Sequence, residues 1–579
     1  MKRIYCGKIN SKLDLNKKIK VSGWVKNIRK LGFLNFIELS DLTGMIQVVV
    51  PETFKKKELI EKLTRESVVS ITGKLIKRKS VNKNIKNGDV ELEIKEIEIH
   101  SISETPPLII EKETDALEEI RFENRFLDLR RPNVQEIFIF KSKLYSVIHE
   151  FLNKENFLYV ETPILAKPTP EGARDYLVPS RVKIGNFYAL PQSPQIYKQL
   201  LMVSGFDRYY QIAKCFRDED LRSDRQPEFT QLDMEMSFVN EEDIFAIIEN
   251  MIKYIMKQML NINVKKPFIR LGYEQSMLMY GNDKPDTRFE NIIKDSLEIV
   301  KKSNNEFIST LLNNENITCR TLAFENEISR KELDELDNKL KGADYRNSSY
   351  VKINNDEISG SFAKKIEKEL VLEIAKQHNI QNGIIFFNFD TKQKASVQLG
   401  FIRNYLAKKL NLIDKTKFNF LWIVDWPLFE YDEETQMFSP AHHPFTQPQT
   451  AFHDSFDKDQ ANAKARAYDL VLNGTELGGG SIRIIDKQMQ ERMFKAIGLS
   501  KDEYENKFST LLNAFRYGVP PHAGIAFGLD RMVQLLLDLD NIKECIAFPK
   551  NAKAYDQTIR TPSEVDKKSL DELGIIIKE

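Results

Sequence analysis

From Thr230 to Phe238 the chain alternates: Leu232, Met234, Met236 and Phe238 fall on one face, Gln231, Asp233, Glu235 and Ser237 on the other. A period of two is what a half-buried strand requires, one side feeding a core and the other polar. Upstream, "YYQIAKCFR" is a second apolar run of strand length, and residues 218–227 between the two are too polar and Pro-broken to be anything but a loop. The pattern predicts an antiparallel hairpin with Arg217 and Glu219 at the mouth of its loop.

Patterning divides the rest of the chain into blocks. Residues 1–106 carry short strand patterns in a row, among them "IKVSGWVKNIR", "LNFIELSD", "GMIQVVV", "SVVSITGKLI" and "DVELEIKEIEI", and predict a small barrel. In it Ile37 and Leu39 oppose Phe36 and Glu38, and Ile46 and Val48 oppose Gln47, so Phe36 and Gln47 are expected to be exposed beside Lys26, Arg29 and Lys30. An aromatic, an amide and cations suit unstacked RNA bases, which are held by stacking and edge hydrogen bonds. Residues 107–133, opening near "ETPPLIIEK", read as a linker; 134–287 hold a long helix, a strand ending at Pro163 and the hairpin. Residues 288–417 mix helices and strands without chemical clusters and look inserted; strand patterning resumes over 418–560, and 561–579 form a tail rich in charge.

Composition narrows the classes. At 579 residues the chain is long enough for about three to five domains. Lys and Arg number 86 against 85 Asp and Glu, a formal charge of +1, so a polyanion must be met by local patches and not by a global field. Cys6, Cys215, Cys319 and Cys545 are widely spaced, without CxxC, which argues against a zinc ribbon or a disulfide framework and for reduced thiols. The start "MKRIYCGKIN" lacks the apolar core of a signal peptide, and no run of about 18 apolar residues could span a bilayer, so a cytoplasmic place without membrane contact is expected.

Four further stretches carry chemistry. "TPEGARDYLVPSR" (169–181) has the make-up of a mobile loop, although any surface loop could share it. "ALPQSPQIYKQLL" (189–201) offers Ser193, Gln195 and Lys198 at a helix start, where an anion is favoured, or simply a cap and a solvated lysine. "NGTELGGGSIRI" (473–484) sets three glycines between Glu476 and Arg483, so that a ligand can approach the backbone, or the loop can flex. "HAGIAFGLDRMVQLLL" (522–537) predicts a strand, a Gly turn and a helix beginning near Asp530; Arg531 in its first turn opposes the helix dipole and is not there for stability alone.

Together these strings resemble the class II aminoacyl-tRNA synthetases, in the aspartyl, asparaginyl and lysyl subgroup and most closely the bacterial aspartyl branch. "FLYVETPIL" looks like motif 1, "FRDED" through "EFTQLDMEMSF" like motif 2 and "GIAFGLDRMV" like motif 3; "TPEGARDYLVPSR", "DRQPEFTQLD", "AHHPFT", "ELGGGSIRI" and "YGNDKPDTR" are similar to the aspartyl branch in particular. Coverage runs to about Pro549, and the later "NAKAYDQTIRTPSEVD" departs from the usual ending. The resemblance implies an α+β multidomain chain: an N-terminal OB-fold barrel that binds the anticodon, an antiparallel-sheet catalytic domain, an inserted α/β domain like the bacterial GAD domain, and a homodimer.

It also implies roles. Arg217, Glu219 and Arg531 are the expected catalytic groups, with Arg217 on the α-phosphate and substrate carboxylate and Arg531 on the γ-phosphate. ATP is expected against Arg217, Asp218, Glu219, Gln226, Phe229, Glu476, Gly528, Leu529, Asp530 and Arg531, with Phe229 stacking on adenine. Aspartate is expected to meet Glu171, Ser193, Gln195, Lys198, Arg217, Asp233, His442 and Arg483: its ammonium at Asp233, Gln195 and Glu171, its side-chain carboxylate at Lys198 and Arg483. Asp469 and Glu476 would hold Mg²⁺, and Phe36, Gln47 and Glu91 would read the anticodon of tRNA(Asp). Three alternatives stay open, an asparaginyl- or lysyl-type synthetase of the same fold, a form that also charges tRNA(Asn) and a catalytically inactive RNA-binding relative; the Lys198 and Arg483 pair speaks for an acidic substrate, Leu31, where non-discriminating relatives tend to have His, leans to strict aspartate tRNA, and retention of Arg217, Glu219, Glu476 and Arg531 speaks against inactivity.

Overall fold

The computed structural model describes residues 2–31, 34–83, 85–168, 172–221, 225–355, 357–432 and 435–578, with the side chain of Leu31 also outside the description. Glu171 and the discriminating side chain at Leu31 therefore lie outside the described residues. The chain forms two units, one of Met1–Ile139 with Ala547–Asn551 and Tyr555–Ser563, the other of Phe140–Ile546 with Ala552–Ala554 and Glu564–Glu579.

In the first unit, strands Lys18–Leu31, Leu34–Asp41, Gly44–Val50, Val68–Lys77 and Val90–Ser101 close into a barrel in the order first, second, third, fifth, fourth. Alternation places Ile37, Leu39, Ile46 and Val48 inside, fully buried with Val21, Val69, Ile71 and Leu92. The opposite face differs from expectation at Gln47. It is buried, because closure lays the fifth strand alongside the third: its amide donates to Glu91 Oε2 at 2.8 Å and its carbonyl accepts from Arg78 Nη2 at 2.7 Å. Glu91 is buried as well, and burial raises its carboxyl above the ordinary range. Phe36, paired with Val49 across the ladder, is half-buried.

Beyond the barrel, the same unit closes on one carboxylate. Asp128 is fully buried and accepts from Arg121 Nε at 3.0 Å, from Arg131 Nη1 at 2.9 Å and from Arg125 Nη1. Arg131 also donates to the carbonyls of Glu111 and Lys112, and Arg125 to that of Ala547 at 2.9 Å. A single anion thus orients three guanidinium forks that tie segments before and after it in sequence.

The second unit is built on an eight-stranded sheet in the order Ile269–Gly272, Phe420–Val424, Ala467–Leu472, Thr475–Ile482, His522–Gly528, Glu228–Ser237, Arg208–Phe216, Leu158–Tyr159. Only the two edge pairs are parallel; the interior is antiparallel. The predicted hairpin is there, with Glu228 opposite Phe216 and Asp233 opposite Gln211. Its apolar face is buried at Leu232, Met234 and Met236, but Phe238 is 72% exposed. The strand ends at Ser237 and Phe238 turns left-handed (φ 59°), its N–H donating to Pro521 O, so the alternation stops one residue before the sequence pattern does. Asn240 then starts helix Glu241–Leu260 with a reciprocal capping box to Asp243.

Between Gly272 and Phe420 the chain builds a second, five-stranded sheet, antiparallel at every pairing, from Lys294 to Asp390. Helix Lys392–Lys409 returns from it to the main sheet. All four cysteines are free and buried. Among the described residues no helix is long and apolar enough to cross a membrane.

Replacing Asp128 by Asn removes the buried charge that three guanidinium groups share, a loss expected to cost about 3–5 kcal/mol. Guanidinium chloride titration should show the first unit unfolding at markedly lower denaturant in Asp128→Asn, while far-UV signal from the second unit holds.

Candidate active site

The polar face of the Glu228–Ser237 strand forms the floor of a cavity of ≈ 580 Å³. Gln231, Asp233 and Glu235 stand on that face because the strand has period two, and the neighbouring strand puts Gly528, Ala526 and Gly524 opposite them. Small residues there leave room above the floor. At Gly524 the approach is closest, since a Cβ would lie 1.8 Å from Glu235 Oε2.

Four charges meet on this floor. Lys198, on helix Gln195–Val203, donates from Nζ to Asp233 Oδ1 at 2.7 Å and lies 3.3 Å from Glu235 Oε2. Arg483 holds Glu235 with both arms of its fork, Nε to Oε1 at 2.9 Å and Nη2 to Oε2 at 3.0 Å. Its remaining Nη1 donates to Ser481 Oγ at 2.7 Å and to His443 Nε2. All four charged side chains are at most 2% exposed. Two cations and two carboxylates cancel, which is what allows four ionised groups to be buried together. Burial alone would raise Glu235, but Arg483 and Lys198 outweigh it and hold the carboxyl down to about 2. Asp233 is shifted the other way, burial prevailing over Lys198. Burial and the Arg483 charge lower His442 to about 4 and hold His443 well below the ordinary imidazole range, so both rings are neutral near pH 7.

Around this floor, buried polar atoms lack partners among the described residues. They are Asp233 Oδ2, Gln195 Nε2 and His442 Nε2, all on side chains that line the cavity. Each orphan costs about 1–3 kcal/mol in a folded protein. An acceptor, a donor and an imidazole left open on one cavity wall are what a small polar molecule with a cationic group would complete.

Toward the other end of the cavity, Arg217 lies over Phe229 with its guanidinium carbon 5.1 Å from the ring centroid, leaving a flat aromatic and a cation side by side. Glu219 pairs with Arg225 at 2.9 Å, and Gln226 is buried against the same wall. Arg531 donates from Nη1 to the carbonyl of Glu476 at 2.8 Å and sits 4.0 Å from its carboxylate. Asp530 lines the wall, yet its carboxylate faces inward, pairing with Lys141 and accepting from Thr230 N at 2.9 Å.

Asp469 and Glu476 face each other across Gly479, where a Cβ would lie 2.5 Å from Asp469 Oδ1 and 3.6 Å from Glu476 Oε1. The cradle between the two carboxylates is kept clear of any side chain. Burial, then Glu476 and Asp283, push the Asp469 carboxyl well above its ordinary range, a concentration of negative charge that a cation would relieve. Hard oxygen donors around an open cradle fit Mg²⁺. Among the described residues no three acidic or imidazole groups close on one point, so the remaining ligands of such an ion would come from a bound molecule, as phosphate oxygens do.

Most residues singled out in the sequence come together here: Ser193, Gln195, Lys198, Arg217, Glu219, Gln226, Phe229, Asp233, His442, Asp469, Glu476, Arg483, Gly528, Asp530 and Arg531 all line the cavity. Two do not. Leu529 is fully buried in the core under the helix it starts, and Asp218 turns away, its N–H bonded to Arg174 O at 3.1 Å and its carboxylate 3.9 Å from Arg174. Lys198 and Arg483 each already have a carboxylate partner within the floor. Sequence reading passed over Glu235, His443, Asp283 and Glu430, which line the cavity or neutralise it. Glu235 shares the alternation with Asp233 and was legible on that ground; the other three arrive from separate segments.

Residues 117–552 match the family described as tRNA synthetases class II (D, K and N), and residues 19–99 match the OB-fold nucleic acid binding domain. The chain is 47% identical to an aspartate–tRNA ligase of Malacoplasma penetrans, over 100% of this chain and 99% of that protein. It is 46% identical to that of Ureaplasma parvum, over the whole of both, and 45% identical to an aspartate–tRNA(Asp/Asn) ligase of a Geobacillus species, over 99% and 98%. The fold is shared with the asparaginyl-tRNA synthetase of Pyrococcus horikoshii complexed with asparaginyl-adenylate, at a TM-score of 0.60 and 19% identity over 98% of this chain and 99% of that one.

Glu235 is ionised far below its ordinary range, so its charge stabilises the fold in full above the unfolded value near 4.3, and the contribution vanishes as pH falls through about 2. Glu235→Gln should therefore lower stability by roughly 3 kcal/mol, equally at pH 8 and pH 5.5, with the difference narrowing below about pH 4. Urea unfolding of both proteins across that range measures it.

Proposed function

We propose, for a chain that belongs to the class II tRNA synthetases (D, K and N), that it is an ATP-dependent ligase joining L-aspartate to tRNA(Asp). The observation that carries this reading is the neutralised floor of Lys198, Asp233, Glu235 and Arg483 ringed by the open Asp233 Oδ2, Gln195 Nε2 and His442 Nε2. A zwitterion with an extra carboxylate fits it. The ammonium takes Asp233 Oδ2 and Gln195; the side-chain carboxylate takes Lys198 and Arg483; and His442 orders the molecule between. The aspartate–tRNA ligases at 46–47% identity over essentially full length support the same substrate.

The reaction follows from the charges. Phe229 and Arg217 sandwich the adenine end and the α-phosphate of ATP, Gln226 and Glu219 contact the nucleotide, and Arg531 clamps the γ-phosphate. Asp469 and Glu476 would hold a Mg²⁺ that neutralises phosphate charge. The aspartate α-carboxylate attacks the α-phosphorus in line, the bond to pyrophosphate breaks, and aspartyl-adenylate forms; a hydroxyl of the terminal adenosine of tRNA then takes the acyl group and AMP leaves. No side-chain nucleophile is needed, because such transfers run on positioning and on arginines placed where phosphate charge develops. The barrel face carrying Phe36, Gln47 and Glu91 would read the anticodon, Gln47 and Glu91 being preset by their mutual hydrogen bond. A homodimer accords with exposed Leu158, Tyr159, Ile164 and Leu165 along the sheet's edge, and the cytoplasm, where tRNA is charged, is its expected place.

ATP–pyrophosphate exchange with each amino acid tests the reading: aspartate alone should support it, and charging of tRNA(Asp) against tRNA(Asn) separates the two specificities that relatives' names record. Exchange driven equally by asparagine would overturn it. Arg217→Ala should cut exchange about 10²- to 10³-fold, the usual cost of losing one donor to a developing oxyanion, while tRNA binding in a filter assay holds.

Phe36→Ala should leave exchange unchanged and weaken charging at limiting tRNA by roughly 1–3 kcal/mol, the worth of one base stack. Normal charging by that variant would remove Phe36 from the RNA face.

A further inference from the structure

Arg403 lies in helix Lys392–Lys409, the last helix of the inserted block, and its side chain is wholly buried. Its Nη2 donates to the carbonyls of Asp286 and Phe289 at 2.9 and 3.1 Å, and its Nε donates to that of Asn291. The guanidinium lies 3.9 Å from the Phe289 ring centroid and 4.9 Å from that of Tyr280. Carbonyl oxygens, the Asn404 side-chain oxygen at 3.5 Å and ring faces contact this charge directly, and the Asp286 carboxylate acts on it only through space. A buried cation so placed is expensive next to an apolar side chain of similar volume, so stability is a poor reason for its presence.

What Arg403 grips is the segment that carries Asp283. Ser276 Oγ donates to Asn282 O at 2.7 Å, Arg288 braces Asp286 with two parallel bonds at 3.0 and 2.7 Å, and Asn419 Nδ2 donates to Thr287 O at 3.0 Å. Helix and segment meet without side chains between them, as a Cβ on Gly400 would lie 2.5 Å from Tyr280 O. Asp283 is thereby fixed three residues from the grip and lines the same cavity as Asp469 and Glu476.

We propose that Arg403 is a positioning residue for the adenylation site, holding the segment 280–291 so that Asp283 adds its charge to the cavity end formed by Asp469 and Glu476 and strengthens the hold on magnesium-bound ATP. Asp283 acts through its field, since no three acidic groups close on one point among the described residues. The inserted block is then part of the catalytic apparatus and not a bystander. This inference rests on the reading of the cavity as an ATP site.

The test uses the full-length wild type and the variants R403M, R403K, D283N and R403M/D283N. Two readouts are taken: the Mg²⁺ dependence of aspartate-driven exchange, and Mg·ATP binding followed by tryptophan fluorescence, Trp426 being in the cavity wall. R403M and D283N should each raise the half-saturating Mg²⁺ about fivefold, or about 1 kcal/mol, with KM for aspartate unchanged and with the double variant no worse than either single one. R403K keeps the charge but not the fork, so it should fold and show a smaller shift of the same kind. Variants that unfold more easily yet keep the wild-type Mg²⁺ dependence, or shifts that multiply in the double variant, would reduce Arg403 to a fastening of the fold and overturn the proposal. Absence of aspartate-driven exchange in the wild type would instead strike the functional reading, and the fluorescence titration would still decide the role of Arg403.

Discussion

The cancellation of four buried charges is the constraint on which the second unit turns. Lys198, Asp233, Glu235 and Arg483 come from a helix, the middle of one strand and the residue just past the end of another, and none is tolerable without the rest. Their spacing requires the Glu228–Ser237 strand in the interior of an antiparallel sheet, glycines in the His522–Gly528 strand beside it, and a helix laid over its polar face. Gly524 shows how tight the requirement is, because any side chain at that position would occupy the space of the Glu235 carboxylate.

Neutrality also changes how the pocket selects its substrate. Had Lys198 and Arg483 been bare, rejecting an amide in place of a carboxylate would rest on stranding two cations. With Glu235 and Asp233 already in place, a neutral side chain would strand less charge, and any discrimination would fall to geometry: Arg483, with Ser481 and neutral His443 fixing its orientation, presents donors only. Such donors suit an acceptor with two oxygens and leave an amide's own N–H groups facing a cation. Glu235 thus holds Arg483 in one orientation, at the expense of the raw attraction that an unpaired arginine would have exerted.

The phosphate end of the cavity is arranged on the opposite principle. There two carboxylates, Asp469 and Glu476, face each other across a cleared cradle, and Arg531 donates to the carbonyl of Glu476. Two carboxylates facing each other across open space suit a cation and the oxygens it brings, whereas a floor of paired charges suits a small zwitterion.

Period two in the chain was enough to place Leu232, Met234 and Met236 in a core and Asp233 and Glu235 on a floor, and to give the barrel its inward Ile37, Leu39, Ile46 and Val48, because which face a strand residue takes is a local matter of pleat. Residue chemistry within recognisable strings was likewise enough to single out Lys198, Arg217, Arg483 and Arg531. What no local pattern carries is which charge neutralises which. Only strand order and register bring Arg483 onto Glu235, only barrel closure buries Gln47 against Glu91, and only the return of a distant helix places Arg403 behind Asp283. The miss at Phe238 has the same origin: its alternation continues in sequence, but the backbone turns left-handed where Pro521 takes its N–H, a partner almost three hundred residues away that no window along the chain contains.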